Sequence, residues 1–165
     1  MGPHKTPGEA EELFMKQSFS VRACFDIFDQ NDYAVYTVEG EHTGLSFSIR
    51  RNGEEVLKIR KKFIALRPSY TLEKKGTDIG RVKKKVKLVN SEVRGTVNGQ
   101  EVKIVGNLAD CDTDIQLGGE ILGHLDKADG ARTDCYRIRI YDESQSDLVI
   151  ALAIICDNVV DEERK

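Results

Sequence analysis

Residues 46–62 read Ser-Phe-Ser-Ile-Arg-Arg-Asn-Gly-Glu-Glu-Val-Leu-Lys-Ile-Arg-Lys-Lys, and residues 69–85 repeat the pattern 23 positions later as Ser-Tyr-Thr-Leu-Glu-Lys-Lys-Gly-Thr-Asp-Ile-Gly-Arg-Val-Lys-Lys-Lys. In both stretches, apolar and polar residues alternate up to a central glycine, and the alternation resumes before a basic run. A period of two is typical of β-strands, and a glycine between two strands favours a tight hairpin turn. The repeat therefore predicts two equivalent hairpins with Gly53 and Gly76 in their turns, and a weaker copy at 115–127 predicts a third.

Strand-like segments follow one another along most of the chain with only short breaks between them. Pairs such as Asn52-Gly53, Asn98-Gly99 and Gly118-Gly119 occupy these breaks, and such pairs tolerate the positive φ angles that tight hairpin turns require. Successive hairpins predict an antiparallel meander. The predicted strands, about twelve, are 13–17, 23–28, 34–40, 45–51, 55–63, 67–74, 78–86, 89–95, 101–106, 112–117, 120–125 and 134–141.

The end of the chain follows a different pattern. Residues 148–155 are eight apolar residues without alternation, Leu-Val-Ile-Ala-Leu-Ala-Ile-Ile. Ser144 or Ser146 could cap a helix here, with Asp147 in its first turn. A helix over about residues 147–160 would be apolar on nearly every side and must be surrounded, yet it is too short to span a bilayer, which needs about 20 residues. The pattern favours an all-β closed barrel around a central hydrophobic C-terminal helix, with a buried central strand as the alternative.

Several segments recur in a recognisable order, at 13–17, 25–29, 36–40, the two repeats at 53–62 and 76–85, and 150–157. Their order and spacing resemble the LURP-one-related family, whose bacterial members include YxjI-like proteins and which belongs to the Tubby C-terminal-like superfamily. The resemblance implies a twelve-stranded barrel around a central helix. Because Tubby relatives bind phosphoinositides and scramblase relatives act on membranes, it also implies anionic lipid as a candidate partner, although no residue-level site transfers to this sequence.

Length and composition favour one domain. We expect a disordered lead-in at residues 1–12, a single barrel domain at 13–161 and a polar tail at 162–165. The four cysteines form no Cys-x-x-Cys pair, which favours reduced thiols in a cytosolic protein over a structural disulfide. The polar N-terminus lacks the apolar core of a signal peptide. A cytoplasmic location is therefore expected, with peripheral attachment to a membrane as an additional expectation.

The net charge of −3 conceals a strongly uneven distribution. Of the 25 basic and 28 acidic residues, the segment from Arg50 to Arg94 holds 15 basic and 5 acidic residues, a balance of +10. The remainder holds 10 basic and 23 acidic residues, a balance of −13. Such asymmetry bears on the partners of a protein rather than on its fold.

The basic segment places cations in matching phase on two predicted strands. Alternate residues of a strand share a face, so these cations lie opposite the apolar positions and would form one outer patch if the strands are close. Lipid phosphates or a nucleic-acid backbone would suit the patch, but few aromatics are interleaved for base stacking, which makes nucleic acid unlikely. The alternative is a solvated barrel exterior whose cations pair with acidic residues. The patch consists of Lys58, Arg60, Lys62, Arg81, Lys83 and Lys85.

Support for catalysis is thin. None of the three histidines belongs to a Ser/His/Asp or Cys/His grouping, and no G-x-S-x-G motif or P-loop is present. An assembly of Asp110, Cys111, Asp112, Asp114 and His124 matches no spacing of metal ligands and is expected to be an acidic loop. We therefore predict no catalytic residue, no metal and no cofactor. The leading hypothesis is a non-enzymatic module that binds anionic lipid headgroups. The alternative is a structural or regulatory scaffold with a protein partner, and the ligand and oligomeric state remain open.

Overall fold

Twelve β-strands and one long helix make up the protein in the computed structural model, which describes residues 10–18, 23–86, 91–132 and 134–163. All but one of the predicted strands have both ends within two residues of the observed positions. The exception, predicted at 89–95, is observed from residue 92, and residues 87–90 lie outside the described part. The elements are β1 (Glu11–Gln17), β2 (Ala23–Phe28), β3 (Ala34–Gly40), β4 (Ser46–Arg51), β5 (Glu54–Ile64), β6 (Arg67–Lys74), β7 (Thr77–Lys85), β8 (Glu92–Val97), β9 (Gln100–Asn107), β10 (Asp112–Leu117), β11 (Glu120–Lys127), β12 (Tyr136–Ile140) and the helix α1 (Ser146–Glu163).

The strands form a closed barrel. Each strand pairs antiparallel with the next one in the chain, and β1 pairs with β12. In that closing pair, Leu13 lies opposite Ile138, so the sheet has no free edge. The alternating apolar residues point inward, as Leu57 and Ile59 of β5 show by their burial. The predicted twelve-stranded antiparallel closed barrel is confirmed.

Five of the hairpins have two-residue turns in which both residues have positive φ. This combination belongs to the type I′ turn, whose twist matches that of the flanking strands. Gly53 (φ 80°) and Gly76 (φ 79°) occupy the second position of equivalent turns, which confirms the hairpins predicted from the repeat. Ala65 (φ 50°) and Leu66 (φ 68°) form the one such turn in the described chain that contains no glycine.

The helix α1 runs through the interior of the barrel. Every side chain from Leu148 to Cys156 is at most 6% exposed, because the barrel wall surrounds the apolar segment on all sides. A 3₁₀ turn precedes the helix, and Asp142 caps that turn by accepting hydrogen bonds from the amide and hydroxyl of Ser144. The predicted enclosed helix is confirmed and the alternative of a central strand is wrong. The helix continues to Glu163, so the predicted polar tail begins inside its last turn.

Tyr36 of β3 holds the start of α1. Its hydroxyl donates to Asp147 Oδ1 at 2.6 Å and lies 2.9 Å from Ser146 Oγ. Arg51 at the end of β4 donates from Nη1 to the same Asp147 oxygen at 3.0 Å. The first turn of the helix therefore lies at the end of the barrel where β4 leads into the Asn52-Gly53 turn.

Tyr70 and Lys61 hold the other end of α1. The Tyr70 hydroxyl donates to Asn158 Oδ1 at 2.6 Å, and Lys61 Nζ pairs with Glu162. Lys61 is only 6% exposed, and Glu162 supplies its counter-charge at the barrel end. Since β5 leads from Lys61 into the Ala65-Leu66 turn, this turn lies at the end of the barrel where α1 ends.

Three features complete the fold. Cys111, Cys135 and Cys156 are buried and unbridged, as expected for reduced thiols. Of the predicted lead-in at 1–12, residues 1–9 lie outside the described part, whereas residues 11 and 12 already belong to β1. Within the described ranges, no helix combines the length and hydrophobicity needed to cross a bilayer.

Candidate anion-binding surface

The six predicted cations lie on two strands that are separated by one strand only. Lys62 of β5 lies opposite Ser69 of β6, and Ser69 in turn lies opposite Lys83 of β7. Arg60 and Arg81 flank β6 in the same way, one step further along. Adjacent strands are about 4.8 Å apart, so the two basic rows face the same side of the barrel. The positions nevertheless differ in their surroundings.

Lys58 and Arg60 lie among carboxylates. Arg60 Nε donates to Glu73 Oε1 at 2.8 Å, and this hydrogen bond is the main cause that raises the pKa of Arg60. Lys58 lies opposite Glu73 and lines a groove together with Glu39 and Glu55. This half of the predicted patch is therefore a surface of compensated charge, as the solvated-exterior alternative expects.

The other half carries an excess of positive charge, in which only Lys85 lies opposite a carboxylate residue, Glu92, in the described register. Among the described residues, no ion pair or side-chain hydrogen bond reaches these cations. Nearby, Lys84 is partly buried, and its pKa is lowered first by that burial and then by the positive charge of Arg67. The excess charge therefore lies toward the end of the barrel where α1 ends. We call this set the free basic cluster, and it consists of Lys62, Arg67, Arg81, Lys83 and Lys85.

Two adjacent grooves run through the free basic cluster. A groove of about 660 Å³ lies between the Ala65-Leu66 turn and the end of β7, where Arg67, Lys83 and Lys85 line it. A second groove of about 550 Å³ is lined by Arg81 and Lys83. Both are shallow surface features between strands rather than enclosed cavities, which suits a ligand that remains attached to a larger surface.

Ser69 lines both grooves and is a polar group without a partner. The residue is 3% exposed, and its Oγ makes no hydrogen bond with any described residue. A buried hydroxyl left without a partner costs about 1–3 kcal/mol. Because Ser69 lies between Lys62 and Lys83 in the pairing register, a hydroxyl donor and two ammonium groups share one row. Such a set matches the oxygens of a phosphate group.

Arg94 extends this row across β8 but is compensated. It lies opposite Lys83, and its Nε is 2.6 Å from Glu92 Oε1. That contact supplies charge compensation to Arg94. Sequence reasoning placed Arg67 near the patch but outside the six-residue set, and it did not assign a role to Ser69. Ser69 opens the second copy of the repeat, so its position was visible but its burial was not.

The acidic group around His124 is occupied by internal contacts. His124 lies on β11 with its Nε2 2.8 Å from Asp112 and its Nδ1 2.8 Å from Asp114. Ligand atoms of Asp112, His124 and Asp126 lie within 4.8 Å of one another, but Asp126 receives two hydrogen bonds from Arg137. The ligand atoms of this group therefore already contact neighbouring side chains.

The fold and the surface define a closed antiparallel barrel that encloses a hydrophobic helix and carries an excess of positive charge around β5 and β7. The chain belongs to the LURP-one-related family, whose model matches residues 11–157. It is similar to the uncharacterized protein YxjI of Bacillus subtilis (strain 168), at 28% identity over 153 residues that cover 90% of this chain and 93% of that protein. A solved structure of a protein from Arabidopsis thaliana superposes with a TM-score of 0.66, covering 96% of this chain and 99% of that one at 13% identity. At that identity, the likeness concerns the fold alone.

Proposed function

We propose that this protein is a non-enzymatic module that binds anionic lipid headgroups at a membrane surface through the free basic cluster. One observation carries the proposal: among the described residues, none of the five cations forms an ion pair, and four of them line two grooves that also contain the unpartnered hydroxyl of Ser69. Like charges gathered without compensation repel one another, so a bound anion would stabilise the arrangement.

The expected strength follows from the number of cations. Each Lys or Arg near an anionic bilayer contributes about 1 kcal/mol, and the attraction fades within a Debye length of about 10 Å at moderate salt. Five cations acting together would hold the protein at the surface weakly and in a salt-sensitive way. Attachment of this kind is peripheral and reversible.

Liposome co-sedimentation tests the proposal. We expect the protein to pellet with phosphatidylcholine vesicles that contain phosphatidylserine or phosphoinositides at low salt, to be released as salt rises, and to ignore pure phosphatidylcholine. If the protein ignores anionic vesicles at low salt, the lipid proposal is wrong. The free basic cluster would then be assigned to an acidic protein partner.

Two charge-reversal variants separate the cluster from overall charge. Lys83→Glu combined with Lys85→Glu removes two members of the free basic cluster and should abolish pelleting. Lys74→Glu combined with Lys75→Glu makes the same change in net charge at the exposed β6–β7 turn, at the opposite end of the barrel, and should retain most of the binding. Equal loss in both variants would show that only net charge matters.

Ser69→Ala tests the groove itself. Removing a buried hydroxyl that has no partner should leave the thermal stability unchanged or slightly higher. The same change should weaken binding to phosphoinositide vesicles about threefold or more, because one donor to the phosphate is lost. A competition with free inorganic phosphate at constant ionic strength shows whether the groove prefers the lipid-borne group. Unchanged lipid affinity would remove Ser69 from the site.

A further inference from the structure

Exposed apolar side chains gather at the same end of the barrel as the free basic cluster. Seven large hydrophobic residues of the described chain are 43% or more exposed. Two of them, Tyr33 and Ile121, lie elsewhere on the surface. The other five surround the Ala65-Leu66 turn: Leu45, whose carbonyl accepts from the Lys61 amide, then Phe63, Ile64 and Leu66 on the hairpin, and Val86 after β7.

The turn at the centre of this group is strained as well as apolar. Leu66 is 94% exposed and holds a left-handed backbone conformation, as does Ala65. The other four two-residue turns place glycine at the second position and avoid that strain. A fold that needed only a reversal of the chain would be served better by Asn-Gly here. The strained backbone of this turn and the exposure of Leu66 do not help the protein to fold, so together they indicate a role in binding.

Cations border the apolar turn on both strands. Arg67 directly follows Leu66, and Lys62 precedes Phe63 by one residue. Lys85 lies at the end of β7 beside Val86 and lines the same groove as Ala65. The apolar tip lies in front of the cations. This order matches an anionic bilayer, where the tip would meet the acyl chains and the cations would meet the phosphates. A folded acidic protein would need an apolar pocket that fits this tip as well as counter-charges around it.

We infer that the Ala65-Leu66 turn, with Phe63, Ile64 and Val86 around it, inserts into the interfacial region of an anionic bilayer while the free basic cluster remains at the level of the phosphates. The inference rests on the proposed function and adds the depth and orientation of binding. The Ala65-Leu66 turn and the free basic cluster face the membrane, and the Lys75-Gly76 turn points away from it.

The absence of tryptophan from the sequence permits a direct test by fluorescence. Leu66→Trp creates a single reporter at an exposed position, and Tyr33→Trp creates a matched reporter at a residue that is 70% exposed in the connection between β2 and β3. With phosphatidylcholine vesicles containing about one third phosphatidylserine, the reporter at 66 should shift to the blue and be quenched by brominated acyl chains. The reporter at 33 should do neither.

Sedimentation of the same samples separates the two proposals. If both variants pellet and the reporter at 66 is neither shifted nor quenched, the insertion is wrong and the electrostatic binding stands. If neither the variants nor the wild-type protein pellet with the vesicles, the electrostatic binding and the insertion are both wrong. Equal quenching at 33 and 66 would overturn the orientation.

A third variant, Leu66→Ser, supplies a readout without a label. It keeps every cation but should lower the vesicle affinity about tenfold at elevated salt, where apolar burial contributes more than charge. Unchanged affinity of Leu66→Ser at all salt concentrations would contradict the insertion. Its melting temperature should match that of the wild type, because Leu66 packs against little else.

Discussion

Lys61 on the inner face of β5 forms an ion pair with Glu162 in the last turn of α1. The Lys61 side chain is 3% exposed and that of Glu162 is 21% exposed. The ammonium group also lies 5.3 Å from the ring centre of Phe63 and 6.0 Å from that of Tyr70. The pair therefore joins the enclosed helix to the hairpin that ends in the Ala65-Leu66 turn.

Removing either partner of this pair should have unequal effects. Glu162→Gln leaves an ammonium group that is almost wholly buried, and we expect a loss of about 3 kcal/mol in the free energy of unfolding. Lys61→Met should cost less, because the remaining carboxylate of Glu162 reaches water. Urea denaturation of the two variants and of the double variant measures the coupling. A larger loss for Lys61→Met would contradict this account.

Replacing Ala65-Leu66 by Asn-Gly should stabilise the protein and weaken its membrane binding. Glycine adopts the left-handed conformation without strain and asparagine tolerates it better than alanine, so the exchange is worth about 1–2 kcal/mol. The reverse change, Asn98→Ala with Gly99→Leu, is the matched control, because a Cβ at Gly99 would meet no neighbouring atom within 4 Å. That control should lose a similar amount of stability through backbone strain alone. Thermal melts of both variants measure the two changes in stability. A loss of stability in the Asn-Gly variant would contradict the strain assigned to the Ala65-Leu66 turn.

Alkaline pH should destabilise the protein through Tyr36. Burial, together with the hydrogen bond to Asp147, raises the pKa of Tyr36 to about 12, above the value near 10 of an unfolded tyrosine. The folded state therefore keeps a proton that the unfolded state loses. The stabilisation is complete below pH 10 and declines by about 3 kcal/mol between pH 10 and 12.

Tyr36→Phe should make the alkaline decline smaller, at the expense of about 1 kcal/mol at neutral pH from the lost hydrogen bond. Urea midpoints at pH 8 and 11 provide the comparison. Tyr33→Phe at an exposed position serves as the control and should behave as the wild type. An identical alkaline decline in Tyr36→Phe would show that Tyr36 is not responsible.

Gly95→Ala should loosen the contact between β7 and β8. A Cβ at Gly95 would collide with the backbone of Arg81 and lie 2.6 Å from the Cα of Val82. Backbone atoms cannot move aside as a flexible side chain does, so a loss of about 2–3 kcal/mol is expected. Thr96→Ala at the adjacent exposed position should be nearly neutral. A Gly95→Ala protein with an unchanged melting temperature would show that the strands separate easily.

The barrel could be predicted from sequence because its signals are local. The Asn52-Gly53 and Lys75-Gly76 pairs fix the hairpins, and the unbroken apolar run from residue 148 fixes the enclosed helix. Closure by pairing of β1 with β12 is not local, and it followed from the number of strands and the family resemblance. Lys61 shows the limit of prediction from local signals, because its counter-charge comes from Glu162, which is 101 positions away in the sequence.

The candidate surface was predicted less completely, because it depends on which residues lie opposite one another on neighbouring strands. Alternation placed six cations on the outer face correctly, but it carries no information on what lies on the intervening strand. That strand supplies Glu73, which compensates Arg60, and Ser69, which lies unpartnered between two lysines. Both facts depend on cross-strand pairing, which a single sequence does not specify residue by residue.

The position of α1 after the last strand has a consequence for biosynthesis. The wall of the barrel emerges from the ribosome strand by strand, whereas the segment that fills it emerges after all of the described strands. Before α1 has been synthesised, the inward-facing apolar side chains have no helix to pack against. The sheet that is not yet closed exposes these side chains and its edge strands. We therefore expect chaperones to bind the exposed apolar rows of the nascent chain until α1 has been synthesised. A premature stop codon just before Ser146 would yield an aggregating chain rather than a shorter working protein.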